Sequence, residues 1–282
     1  MEIHFQNQTI DLSFPQVMGI VNMTPDSFSD GGNYNNLDDA MRRVDSMIQA
    51  GATFIDVGGE STRPGAAEVS VDEELNRVVP LIEKIARYFD VWISVDTSKP
   101  QVMTESAKVG AHLINDVRAL TEPGALEAAA QTGLPVCIMH MQGDPKTMQN
   151  APHYQQDIYQ EVDQFFDKHI DRCINAGINR EKIILDPGFG FGKTLAHNYR
   201  LLATLEKFHH FNLPLLVGMS RKSMIGQVLN MPPKERMLGS VSCAVIAAMK
   251  GAHIIRVHDV KETFDALRIV QATLSCGTKL IV

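Results

Sequence analysis

Eight short apolar runs, each closing on a polar residue, constrain this chain more than any other feature. They are VMGIVN (17–22), FIDVGG (54–59), VWISVDT (91–97), HLINDV (112–117), PVCIMH (135–140), IILDPG (183–188), PLLVGMS (214–220) and IIRVHD (254–259). Runs that are apolar nearly throughout and rich in β-branched residues suit strands covered on both faces. Between them lie stretches with helical spacing, such as LDDAMRRVDSMIQAG and DEELNRVVPLIEKIARYF. Ser70 with Glu73 forms a capping-box signature before the second. Gly51, Gly110, Gly133, Gly177 and Gly251 each precede a run, where a helix would end on a left-handed residue.

Eight strand–helix units in an unbroken chain of 282 residues predict an α/β protein, a single-domain (β/α)8 TIM barrel over 1–282. A doubly wound open sheet is the alternative. Residues 1–16 predict a short β-hairpin, IHFQ and TIDL across Asn7-Gln8, plugging the barrel bottom.

In such barrels the chemistry sits at the C-terminal ends of the strands. Here those ends carry Asn22, Asp56, Asp96, Asn115, Asp116, His140, Asp186, Ser220, Arg221, Lys222, Arg256, His258 and Asp259. One Asp or Asn there could simply cap the next helix. Caps do not require Lys222, Arg256 and His258 beside the carboxylates. Asp96, Asn115 and Asp186 offer acceptors to a flat ligand rich in N–H groups, such as an aminopyrimidine. Arg63, Arg256, His258 and Asn22 suit a phosphate-bearing group, and an Asn oxygen can help complete a magnesium shell. Period two places Arg256 and His258 on one face of their strand. His258 would titrate near neutrality if it donates to the phosphates.

Other signals lead elsewhere. DPGFGFGKT (186–194) is not a phosphate-cradling P-loop, because Pro187 stands where the first glycine belongs. Lys193 and Thr194 would then only begin a helix. His140 has no partner at metal-ligand spacing and reads as a structural histidine, and His209-His210 as solvated histidines. Cys137, Cys173, Cys243 and Cys276 are scattered, which suits reduced, buried thiols and a cytoplasmic location. A net charge of -7 without a basic stripe argues against nucleic acid, and no apolar segment is long enough for a membrane span.

With these residues in view, the chain resembles the dihydropteroate synthase family. NMTPDSFSDGG (22–32), DVGGESTRPGA (56–66), SVDTSKP (94–100), NDV (115–117), LDPGFGFGK (185–193), GMSRKS (218–223) and RVHDV (256–260) match its motifs in order, over nearly the whole chain. Met23 stands where the family often has Val, a swap within apolar types.

The resemblance implies a folate-pathway transferase joining 4-aminobenzoate to a dihydropterin diphosphate ester, with sulfonamides as inhibitors and Mg2+ as cofactor. It implies that Asp96, Asn115, Asp186 and Lys222 hold the pterin, with Met139, Gly218 and Phe191 nearby. Asn22, Arg63, Arg256 and His258 would hold diphosphate, with Asn22 on the magnesium. Phe28, Thr62, Arg63, Pro64, Phe191, Lys222 and Ser223 would surround aminobenzoate. Lys222, Arg256, His258 and Asp96 would be catalytic, and the enzyme a homodimer. Three rivals remain at this point: a pterin-binding methyltransferase domain, a phosphate-binding nucleotide enzyme and a non-catalytic pterin-binding barrel.

Overall fold

The computed structural model describes residues 1–5, 8–24, 33–61, 68–143, 148 and 152–279. A hairpin comes first, β1 (Glu2–Phe5) antiparallel to β2 (Gln8–Asp11). Eight parallel strands follow: β3 (Gln16–Asn22), β4 (Phe54–Gly58), β5 (Trp92–Asp96), β6 (Leu113–Asp116), β7 (Val136–Met139), β8 (Ile183–Asp186), β9 (Leu216–Val217) and β10 (Ile254–Val257). All eight apolar runs became strands. Their order is β8-β7-β6-β5-β4-β3-β10-β9, and a parallel bridge between Leu185 and Leu215 joins the two ends. The result is a barrel rather than an open sheet, with its thinnest seam between β8 and β9.

Helices cover the outside: α1 (Asn33–Gln49), α2 (Val71–Tyr88), α3 (Pro100–Lys108), α4 (Ala125–Thr132), α5 (Ile158–Asn175), α6 (Leu195–Ala203), α7 (Ser223–Leu229), α8 (Met237–Met249) and α9 (Val260–Lys279). The five predicted helix-ending glycines all have positive φ. Ser70 caps α2 by accepting from Glu73 N at 3.2 Å. The reciprocal half of the capping box does not form, because the Glu73 carboxylate pairs with Arg77 one turn on.

Strand parity sorts the barrel into two cores. Outward residues such as Val57, Val95, Ile114, Ile138 and Val257 pack against the helices. Inward residues begin with an apolar floor of Met18, Phe54, Trp92, Leu113, Cys137, Ile184, Leu216 and Ile254, one from each barrel strand. Ile3, Ile10 and Leu12 from the hairpin segment pack against this floor, so the hairpin is the predicted plug. Burying each such side chain contributes about 1.5–3 kcal/mol.

Three smaller expectations change. Cys276 is exposed, while Cys137, Cys173 and Cys243 are buried. His209 is partly buried and bonds Lys250 O at 3.1 Å, whereas His210 is exposed as expected and pairs with Asp163 at 2.6 Å. Thr194 does cap α6, through a capping box with His197, but Lys193 is only 3% exposed and lies inside the loop before it.

Candidate active site

Two to four residues above the floor, most of the inward positions turn polar. Register places Asp56 of β4 beside Ser94 of β5, and Gly58 beside both Asn22 and Asp96. Asp96 in turn lies beside Asn115 of β6. Asp186 ends β8 beside Met139 of β7. The strand ends therefore deliver one ring of polar groups to the barrel mouth.

Arg256 of β10 reaches across this ring. Its Nε donates to Asp56 at 2.6 Å and its Nη2 to Asp96 at 2.8 Å. Asn115 Nδ2 lies 3.4 Å from both Asp56 carboxylate oxygens. Asp56, Asp96, Asn115 and Asp186 are all buried. Burial pushes the Asp96 carboxyl up to about 7, against the pull of Arg256 and with help from Asp56 and Asp116. Burial also raises Asp186, with Lys222 and the Gly188 N–H opposing it. For Arg256, burial works against the charge, but Asp56 and Asp96 outweigh it and hold its pKa above the ordinary arginine value.

Lys222 stands over the β8–β9 seam. Its Nζ donates to Phe189 O at 2.5 Å and sits 4.5 Å from the centre of the Phe191 ring. Burial brings its pKa down to about 8, with Asp186 opposing and Arg256 reinforcing the shift. Phe191, Met139, Val117 and Met148 form an apolar wall beside it. Gly218 follows β9 next to Arg256, where an added Cβ would lie 3.7 Å from Arg256 Cβ. The turn preceding Lys222 is strapped at Arg221, whose φ is +58°. Ser240 Oγ accepts from Arg221 N at 2.9 Å, Arg236 donates to Arg221 O at 3.0 Å, and the Arg221 side chain pairs with Asp259. Ser223 starts α7 and is exposed.

His258 lies just past β10 and bonds Ser220 Oγ through Nδ1 at 3.0 Å. Burial, then Arg256 and Arg221, lowers its pKa to about 3, which leaves the ring neutral at pH 7. With the Ser220 hydroxyl as donor to Nδ1, the ring proton would sit on Nε2, free to donate to an anion. His140 is the structural histidine expected, buried and in contact with Lys193.

The structure thus gathers Asp96, Asn115, Asp186, Lys222, Met139, Gly218, Phe191, Arg256 and His258 at one mouth, with Asn22 at its rim. Phe28, Thr62, Arg63 and Pro64 lie outside the described residues. Two features differ from expectation. Asp96 and Asp186, expected as acceptors for a ligand, also face Arg256 and Lys222 across the barrel. Arg256, expected on diphosphate, directs two donors to the carboxylates. Asp56 and Ser220 were passed over as site residues. The signal for Asp56 was its parity with Phe54 and Gly58, which turns it inward.

A polar mouth at the C-terminal ends of the strands is where a barrel enzyme places its active site. A model of the pterin binding enzyme family matches residues 18–258. The dihydropteroate synthase of Escherichia coli is 70% identical over 275 residues, 98% of this chain and 97% of that protein. That of Haemophilus influenzae is 55% identical over 273 residues, 97% and 99% of the two chains. The Yersinia pestis dihydropteroate synthase, solved as a sulfonamide drug complex, superposes with a TM-score of 0.94 at 66% identity, covering 98% of this chain and 100% of that one. The Xanthomonas albilineans synthase with 4-aminobenzoic acid gives a TM-score of 0.89 at 46% identity, covering 94% and 95%. The chain belongs to the pterin binding enzyme family, among the dihydropteroate synthases.

Proposed function

We infer that this chain joins 4-aminobenzoate to the diphosphate ester of 6-hydroxymethyl-7,8-dihydropterin, giving 7,8-dihydropteroate and diphosphate. The observation that carries the reading is the buried Asp56–Arg256–Asp96 set, with Asn115 and Asp186, in a chain 70% identical to a synthase of this activity. Incubation with both substrates and magnesium should release dihydropteroate and diphosphate in equal amounts. A folded protein that yields neither product would overturn it.

Asp96, Asn115 and Asp186 accept from the pterin N–H groups, while Lys222 and Phe191 bracket the ring. The aryl amine is neutral at pH 7, so no strong base is required. The slow event is departure of diphosphate, when the C–O bond breaks and its electron pair leaves with the oxygen. Asp96 and Asp186 stabilise the cationic pterin methylene, and Arg256 and the His258 N–H stabilise the leaving charge. The amine nitrogen then forms the C–N bond and releases one proton. Arg63 belongs with the diphosphate, and Phe28, Thr62, Pro64 and Ser223 with aminobenzoate, on the motif resemblance. The Yersinia pestis synthase, solved as a sulfonamide drug complex, supports sulfonamides as inhibitors of this chain.

Asn22 suits magnesium. Among the described residues no group of three or more His, Cys, Asp or Glu could hold a metal ion. A single amide oxygen fits a cation that takes its other ligands from diphosphate and water. Bound there, magnesium would offset charge on the leaving group.

We also propose a homodimer and a cytoplasmic location. Met237, Leu238, Ile246 and Met249 on α8 and Ile269 on α9 are exposed, which supports a covered face there. Four free cysteines support the reducing compartment. No described helix is long and apolar enough to cross a membrane.

A further inference from the structure

Lys193 is a buried lysine that the chemistry above does not use. Four acceptors converge on its Nζ: Gly188 O at 2.8 Å, Phe191 O at 3.0 Å, His140 O at 3.2 Å and His140 Nδ1 at 2.9 Å. Two belong to the glycine-rich loop after β8 and two to the residue that follows β7. The loop lies directly on that neighbour. A Cβ on Gly188, whose φ is +70°, would fall 1.9 Å from His140 O, and one on Gly192 would fall 2.5 Å from Gln142 O. Contact this close leaves no room for water between the two segments, so the inward carbonyls depend on a protein donor.

The opposite side of the same loop faces the pterin site. There Lys222 donates to Phe189 O at 2.5 Å and lies over the Phe191 ring. Its stem also packs on Gly190, where a Cβ would lie 3.1 Å from Lys222 Cδ. The loop is therefore gripped from both faces, by Lys222 on the ligand side and by Lys193 on the buried side. Only Lys222 can respond to a ligand. Lys193, enclosed, sets where the loop rests.

We propose that Lys193 is a positioning residue for the pterin site: its amino group ties the 187–192 loop to the end of β7 and thereby fixes Phe191 as a wall of the pocket. This rests on the pterin reading of the mouth. Nothing about it requires Lys193 to touch the substrate.

The test is a double-mutant cycle read by pterin affinity, using a pterin without diphosphate in calorimetry. Lys193→Met keeps the length and removes the donor. It should weaken pterin binding about tenfold, the cost of buried carbonyls left without a partner. In a Phe191→Ala background the same change should alter affinity by less than about twofold, because the wall it positions is already gone. KM for the pterin diphosphate should rise with it while kcat stays within about threefold. Should Lys193→Met fail to fold, Lys193→Gln takes its place in the cycle: its side chain is one bond shorter and sets its own carbonyl among the four acceptors, so a smaller loss of about threefold is expected, again only while the Phe191 ring is present. An equal loss with and without the Phe191 ring, or no loss at all, overturns the proposal. The unmodified chain is the control: if it binds no pterin, the reading of the mouth fails first, whereas pterin binding that Lys193→Met leaves unchanged removes this inference alone.

Discussion

The floor and the mouth of the barrel are built by the same strands, two to four residues apart, on opposite physical terms. The floor takes an apolar side chain from every strand and closes it with Ile3, Ile10 and Leu12. The mouth buries three carboxylates, Asp56, Asp96 and Asp186, around Arg256 and Lys222. A floor residue stabilises wherever it packs well. A mouth residue is tolerable only while its partner is present, since an unpaired buried charge is costly. The floor therefore carries stability, and the mouth carries stored polarity that a ligand can use.

Breaking the mouth at its centre should give the largest effect. Arg256→Ala leaves Asp56 and Asp96 without their cation, which should cost about 3–5 kcal/mol of stability. It should lower kcat/KM by about a thousandfold or more, because orientation and leaving-group charge are lost together. Pterin lacking diphosphate should also bind poorly. His258→Ala, by contrast, should weaken diphosphate-bearing ligands and spare the bare pterin. Steady-state kinetics and calorimetry on both variants separate the two, and bare pterin binding retained in Arg256→Ala would contradict the pairing described.

Breaking the floor should cost comparable stability and little chemistry. Phe54→Ala removes a fully buried ring and should lower unfolding free energy by about 3–5 kcal/mol. KM for both substrates should stay within about twofold, since no contact in the mouth changes. Denaturant unfolding with kinetics on the folded fraction checks this, and a large KM change would mean that the two layers are not separable.

A subtler break is Asp186→Asn, which preserves shape and removes an acceptor. Pterin affinity should fall by about ten- to a hundredfold, the penalty of about 1–3 kcal/mol for a mispaired buried group. The unfolding midpoint should hardly move or even rise, because burial disfavours the native charge. A floor residue never shows that combination.

The smallest effect is graded with pH. Asp96 has its pKa raised to about 7, so the folded protein keeps a proton there that the unfolded chain releases near the ordinary carboxylate range. Its contribution to stability is present below that range and is lost as pH rises towards about 7. Pterin N–H groups prefer the ionised form, so affinity should rise with pH up to about 7. Lys222, with its pKa near 8, should then set a falling limb as it loses its proton. Titrations across this range should give a bell whose acidic limb disappears in Asp96→Asn. A flat profile would mean that neither group ionises across this range.

Much of this molecule was legible in the sequence. The eight apolar runs, the five helix-ending glycines and the hairpin plug follow from local rules, since strand period, turn conformation and burial act over a few residues. Motif residues were legible too: the structure brings Asn22, Asp96, Asn115, Asp186, Phe191, Gly218, Lys222, Arg256 and His258 to a single mouth, but leaves Ser223 exposed at the start of α7. Asp56 shows the limit: its parity was readable, but its hold on Arg256 joins residues on strands far apart in sequence. Lys193 shows it again, as a residue that looks like a helix start and is a buried strut.

By itself, then, the sequence determined the number and order of the strands, which end of each carries polar groups, and the family to which those groups point. Only the tertiary structure decided who neutralises whom. Closing eight strands into a ring sets Arg256 beside Asp56 and Asp96, and Lys222 near Asp186. Charge pairing depends on distance through space and on the water excluded between partners, and both arise only when the barrel closes.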